Sequence, residues 1–297
     1  MKNRFIGNLA LFLTALIWGL SFVAQRAGME YIGPLTFNTV RSFMGALSLV
    51  PVILWVKYSK VDTRTRRRKR FQRVNLAKAG TACGIALFVA MTIQQYCMQY
   101  VAAGKAGFII ALYIIFVPII SVLFGNKLAK RIIASIFISV VGLYLLCYNA
   151  GGSFSVYDLL LLASAFFYGV HIIVVDHFTA RVNAVKTSCV QFLVMGILSM
   201  IPMFLLETPV WSSIVACKVP LFVTGVLTCG IAYTLQIFGQ KHTIPVIASL
   251  ILCLESVFAV LGGFLILGET MTHKEIAGCI LMITAVIIAN TKREPKA

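Results

Sequence analysis

Apolar runs close to 20 residues long follow one another along this chain, separated only by short polar breaks. That is the length needed to cross a hydrocarbon core roughly 30 Å thick. The pattern predicts spans over Phe5 to Gln25, Phe37 to Lys57, Leu76 to Met98, Gly104 to Asn126 and Arg131 to Tyr148. Five more are predicted over Tyr157 to Asp176, Ala184 to Leu206, Pro220 to Gln240, Ile244 to Leu267 and Glu275 to Asn290. Backbone groups in lipid must find partners within their own segment, and the runs lack the alternation of a membrane barrel, so the spans are expected to be helices. The expected fold is an all-α integral membrane protein with ten transmembrane helices, leaving no soluble domain. The first run is too long for a signal peptide and has no cleavage pattern, so it is expected to be a retained helix.

Composition agrees: 60% of the residues are hydrophobic, only 12% are charged, and mean hydropathy is +0.95. A net charge of +17 and a pI near 9.8 would point to nucleic acid in a soluble domain, but here the charge is concentrated between spans. The stretch VDTRTRRRKRFQR, Val61 to Arg73, packs seven Arg or Lys into thirteen residues. Positive charge accumulates on cytoplasmic loops and fixes orientation. With the amino terminus inside, only Arg26, Lys105, Lys218 and Lys274 fall outside, and Arg41 is left within a span. The basic run therefore reads as a topological anchor, with Arg66, Arg67, Arg68, Lys69 and Arg70 placed to touch anionic lipid headgroups. A multi-pass protein of the cell membrane with both termini cytoplasmic is the expectation.

The eight cysteines contain no CxxC and most lie within spans, so they read as small packing residues rather than a disulfide framework or metal centre. No cofactor is expected.

Self-comparison reveals a repeat. ALIWGLSF (Ala15 to Phe22) aligns with AFFYGVHI (Ala165 to Ile172), and PLTFNTVR (Pro34 to Arg41) with AVKTSCVQ (Ala184 to Gln191), at an offset of 150. FGNKLAKRIIAS (Phe124 to Ser135) aligns with LGETMTHKEIAG (Leu267 to Gly278) at an offset of 143. The longer basic loop of the first half, over 58–75, accounts for most of the difference. Two five-helix units, 1–150 and 151–297, follow. Because five is odd, the second unit enters the membrane inverted, as in secondary transporters whose halves enclose a site near mid-membrane.

IWGLSF in the first span, GPLTFNTVRS leading into the second, AAGKAGFIIALYIIFVPIIS (Ala102 to Ser121) and ASLILCLESVFAVLGGFLILGET (Ala248 to Thr270) resemble the EamA-type transporters of the drug/metabolite transporter superfamily. The resemblance covers both halves. It implies a ten-helix bundle around a central cavity that moves small metabolites, often outward, with amino acids and their derivatives as the leading class. Nucleobase-like or vitamin-like solutes and cationic drugs come behind. Where many relatives look like Glu-Pro, this chain has Glu255-Ser256, which removes the basis for a proline kink in the ninth helix.

Glu255 is the first candidate for function, because an acidic group at mid-span is costly unless used; a neutral, hydrogen-bonded carboxyl is the bland alternative. It aligns with Tyr113, and the pairs Ala106/Tyr113 and Ala248/Glu255 each lie on one helix face, so Tyr113 and Glu255 are expected to face each other across the pseudo-twofold axis. Gln94 and Gln95 in the third span, and Gln236 and Gln240 with Tyr233 in the eighth, suit substrate contact or interhelical hydrogen bonding equally. Which of Gln94 and Gln95 matches Gln236 depends on a one-residue gap. Trp18 and Tyr168 occupy equivalent places and suit either stacking on a substrate or ordinary packing, while His171, with Glu255, is a candidate for proton coupling. The expected substrate site is thus Trp18, Gln95, Tyr113, Tyr168, Tyr233, Gln236 and Glu255. Ala103, Gly107 and Ala111 form a small-residue stripe suited to close helix packing, and Arg41 is expected to snorkel outward or pin its helix.

An enzyme is disfavoured, since there is no HExxH, GxSxG, paired acidic motif or glycine-rich phosphate loop. A channel fits less well than a carrier, because one chain carrying an internal inverted repeat suits alternating access.

Overall fold

The computed structural model describes residues 2–59, 66–101, 103–147, 155–179, 182–267 and 271–291. Among them there are helices and connections but no strand. The helices are α1 (Lys2–Gly28), α2 (Pro34–Ser59), α3 (Arg66–Cys97), α4 (Ala103–Ala111 and Tyr113–Leu123) and α5 (Lys130–Cys147). The second half contributes α6 (Val156–Thr179), α7 (Ala184–Leu206), α8 (Lys218–Gln240), α9 (Pro245–Leu252 and Glu255–Leu267) and α10 (His273–Asn290). A short helix, Trp211–Ala216, joins α7 to α8.

Among the described residues nine helices are long and apolar enough to cross a membrane. The remaining expected span is α5, which runs along α10 in the most extensive helix pairing among the described residues. Glycines set that approach: a Cβ on Gly142 would fall 2.9 Å from the Gly278 carbonyl, and one on Gly278 only 2.6 Å from the Gly142 carbonyl. Small residues are what let helices meet where lipid gives no hydrophobic drive.

Local signals explain the helix ends. Asn183 caps α7 by accepting from Lys186 N at 3.1 Å, and Thr272 and Glu275 form a reciprocal capping box on α10. Gly125, at φ +85°, ends α4 with paired bonds from Gly125 N to Val122 O and Asn126 N to Ser121 O, a left-handed stop that glycine adopts without penalty. Phe124, Leu205 and Leu206 lie exposed on the outside of the bundle, with Trp55 and Trp211 near opposite ends, as the apolar belt and aromatic rims of a bilayer protein require.

One expectation is corrected. The basic loop predicted over 58–75 is shorter, because α3 begins at Arg66 and continues for 32 residues. Arg66 to Arg70 therefore open a helix; Arg70 is exposed, and the side chains of 66–69 lie outside the described residues. Arg and Lys are good helix formers, and a helix of that length projects about 48 Å, well beyond the hydrocarbon core.

The contacts reproduce the internal repeat. A Cβ on Gly19 would meet Glu255 O, Phe258 Cβ and Ala259 N, while one on Gly169 would meet Phe116 and Val117. Phe258 and Ala259 match Phe116 and Val117 at an offset of 142, and Gly19 matches Gly169 at 150. Likewise Gly84 lies against Gln191 O and Val194, and Gly225 against Arg41 O and Met44, two residues 150 earlier. The helix crossings of one half thus recur with the partners exchanged.

Both α4 and α9 break at equivalent places, Leu112 and Cys253–Leu254. The bonds there tighten to the i−3 pattern, from Leu112 N to Ile109 O and from Leu254 N to Ile251 O. The break in α9 forms without a proline, so the loss of the Glu-Pro pattern at Glu255-Ser256 does not straighten the helix. Glu255 opens the second segment of α9 and Tyr113 the second segment of α4.

Candidate substrate site

A small cavity lies where these breaks meet. Trp18, Ser21, Phe22 and Gln25 of α1 line it, with Met91 and Gln94 of α3, Ile110 and Tyr113 of α4, Tyr168 of α6, Thr228 and Tyr233 of α8, and Glu255 of α9. Both halves contribute. The space is small, on the order of two waters.

The polar wall is one connected network. Gln25 Oε1 accepts from Arg41 Nη1 at 3.1 Å and from Gln94 Nε2 at 3.0 Å, while Gln25 Nε2 donates to Ser21 Oγ at 3.3 Å. The Tyr168 hydroxyl donates to Gln94 Oε1, joining the second half to the first. Gln95 Nε2 donates to the Gln25 carbonyl at 3.1 Å, and Asn38 Nδ2 to the Met91 carbonyl at 3.1 Å. Aromatic rings complete the lining, with Trp18 and Tyr233 4.7 Å apart and Phe192 edge-on to Tyr233 at 5.1 Å behind it. Tyr113 and Glu255 stand together in the wall, the Tyr113 hydroxyl directed to a carboxyl that is 3% exposed.

Of the residues expected from sequence, Trp18, Tyr113, Tyr168, Tyr233 and Glu255 line the cavity. Gln95 and Gln236 do not: Gln95 is spent on the Gln25 backbone, and Gln236 is buried with neither amide atom partnered. The gap separating Gln94 from Gln95 as the counterpart of Gln236 falls in the π-helical stretch Val223–Ala232 of α8, whose wider turns take up extra residues. His171 also stands apart, 3.3 Å from Gln191 Oε1 and edge-on to Tyr233. The small stripe of α4 is taken up by neighbours, with Gly107 against the Phe22 ring and Ala111 against Cys253.

Of the two roles expected for Arg41 the structure agrees with pinning, and Gln25 was not expected at all. Arg41 does not snorkel; its side chain is 0% exposed and points into the bundle, over the Phe37 ring at 5.3 Å. Seven residues into α2, it is too deep to reach the headgroups and finds Gln25 instead. Gln25 was missed, although Trp18, Ser21 and Gln25 recur at i, i+3 and i+7 on one helix face. Among the described residues no cluster of His, Cys, Asp or Glu suited to a metal is found, and none of the seven cysteines whose side chains are described forms a disulfide.

Apolar membrane-length helices packed around a small polar cavity, with ionisable side chains turned inward, define a polytopic membrane transporter. The chain belongs to the EamA-like transporter family, whose profile matches it twice, over residues 5–148 and 155–291. It is 30% identical to an "Uncharacterized transporter" of Archaeoglobus fulgidus over 98% of this chain and 87% of that one. It is 24% identical to "Uncharacterized transporter YoaV" of Bacillus subtilis over 94% and 95%. A crystal structure of a protein 17% identical matches with a TM-score of 0.74 over 96% of both chains, which shows the shared fold.

Proposed function

We propose that this protein is a secondary transporter that carries a small polar metabolite, an amino acid or a close relative, out of the cell by alternating access. The observation that carries this reading is the small cavity inside the bundle, lined from both halves by polar and aromatic side chains. Rocking of one inverted five-helix unit, 1–150, against the other, 151–297, opens it to one side or the other. Trp18, Tyr113, Tyr168, Tyr233 and Glu255 contact the solute, with Gln95 and Gln236 supporting them from behind. Glu255 carries the coupling proton; His171, held by Gln191, is the second candidate. The protein sits in the cell membrane with both termini cytoplasmic, and Arg66 to Arg70 rest on anionic headgroups.

Counterflow tests the reading. Liposomes holding the purified protein and a high internal concentration of an amino acid mixture are expected to accumulate trace labelled amino acid transiently and saturably. Flux that rises linearly with concentration and shows no counterflow defeats the carrier mechanism.

A further inference from the structure

We propose that Arg41 and Glu255 are the two charged poles of a zwitterion site, Arg41 receiving the carboxylate of the solute and Glu255 its ammonium group. The proposal rests on the transporter reading and names how its cavity selects.

The first pole is unmatched. The Arg41 guanidinium carries five N–H donors and no acceptor. Its Nη1 is satisfied by a neutral amide, Gln25, while Nε and Nη2 have no partner in a side chain that is 0% exposed. The Lys105–Asp158 ion pair, at 2.8 Å, involves neither Arg41 nor Glu255. The Phe37 ring beneath the guanidinium supplies polarisable contact but no counter-charge. Burying a cation without a counterion is costly, so an anion is the missing partner.

Gln25 shows where that anion belongs. Its Oε1 accepts two donors, Arg41 Nη1 and Gln94 Nε2, as one oxygen of a carboxylate would, and Gln25 itself lines the cavity. Arg41 itself does not line the cavity, so Gln25 must turn aside for a carboxylate to reach the guanidinium. The second pole is Glu255, a buried carboxyl in the cavity wall whose polar neighbour there is the Tyr113 hydroxyl. Tyr168 and Tyr233 both line the cavity, and each interacts with Arg41 and Glu255. A solute with one positive and one negative end satisfies both at once and leaves no net charge in the membrane interior. A monocarboxylate or a simple amine satisfies only one. The Trp18 and Tyr233 rings leave an apolar wall for the rest of the solute.

Thermal stabilisation of the purified protein in detergent tests this with proteinogenic amino acids, their methyl esters, their N-acetyl derivatives and the matching primary amines as probes. One or more amino acids should raise the melting temperature, whereas blocking either end should weaken binding by about 100-fold. Arg41→Gln should weaken amino acid binding by a similar factor while leaving binding of the amine unchanged, and Glu255→Gln should do the same for the N-acetyl derivative. Arg41→Lys should recover part of the loss. Should Arg41→Gln not fold, the ester comparison on the wild type still decides. Equal binding of amino acid and ester, or full binding by monodisperse Arg41→Gln protein, overturns the proposal. Counterflow of a neutral or singly charged solute without amino acid binding overturns it while leaving the transporter reading intact, and absence of any counterflow overturns both.

Discussion

Cys253 Sγ lies 3.7 Å from the carbonyl oxygen of Ala111, and the two residues are counterparts in the internal repeat, 142 positions apart. Each sits at the break of its helix, where an i−3 turn frees carbonyls that the helix would otherwise satisfy. The two breaks therefore meet on the pseudo-twofold axis, and their second segments begin with Tyr113 and Glu255. Cys253→Ser keeps a donor for the Ala111 carbonyl and should leave the melting temperature nearly unchanged. Cys253→Leu forces added methylenes into a fully buried crossing and should cost about 1–3 kcal/mol, seen as earlier unfolding on heating and size exclusion.

Gly19 offers a sharper comparison. A Cβ there would stand 2.4 Å from the backbone oxygen of Glu255, an atom that cannot move without shifting α9, whereas one on Gly107 would meet the Phe22 ring at an ordinary 3.7 Å. Gly19→Ala should therefore lower stability and transport together, while Gly107→Ala should be nearly neutral in both. Equal losses at the two positions would contradict the crossing described.

Hydrophobic run length predicts where the helices lie because lipid fixes the length of an apolar segment, so α7 matches its expected bounds, Ala184–Leu206, at both ends. The start of α3 was not legible from hydropathy, since a basic helix outside the lipid looks like a loop by that measure. In the site, self-alignment put Trp18 over Tyr168 and Tyr113 under Glu255, and all four line one cavity. Arg41 escaped because hydropathy records that a charge sits in a span but not which way its side chain turns. The direction is set by α1, whose Gln25 offers an acceptor inward.

Glu207 makes a latch between the halves. From the end of α7 its carboxylate accepts from Leu35 N at 2.9 Å, Thr36 N at 2.8 Å and Thr36 Oγ1 at 2.6 Å, capping α2 across the boundary. Gly33 is required there, because a Cβ would fall 2.4 Å from the Glu207 carboxyl carbon. Glu207→Ala removes a cap and should cost about 1–2 kcal/mol. It should also loosen that end of the bundle, so a cysteine at Ser21 in a background without native cysteines should react faster with an impermeant thiol reagent. An unchanged rate would mean that Glu207 stabilises α2 without holding the halves together.

Orientation is tested at the basic run. Cysteines introduced between Lys60 and Arg73 should be protected from an impermeant reagent in intact cells and labelled after permeabilisation, with both termini behaving alike. Replacing the seven basic residues of Val61 to Arg73 with Gln should reduce correct insertion more than transport per inserted molecule, because the charges act on topology. Labelling of the run from outside intact cells would reverse the assignment.

Glu255 decides the energy source. Its carboxyl is buried and lines the cavity beside Tyr113. In the proposed mechanism a proton and the ammonium end of a solute compete for this one carboxylate, and that competition would exchange one for the other across the membrane. Glu255→Gln keeps the shape of the protonated group and removes the exchange. In liposomes it should abolish accumulation driven by a pH gradient while solute-for-solute exchange continues at high concentration. Full gradient-driven transport by the variant would remove Glu255 as the coupling group and turn attention to His171. A wild type that ignores the pH gradient altogether would exclude proton coupling, and the same assay with a sodium gradient would then show whether another ion replaces it.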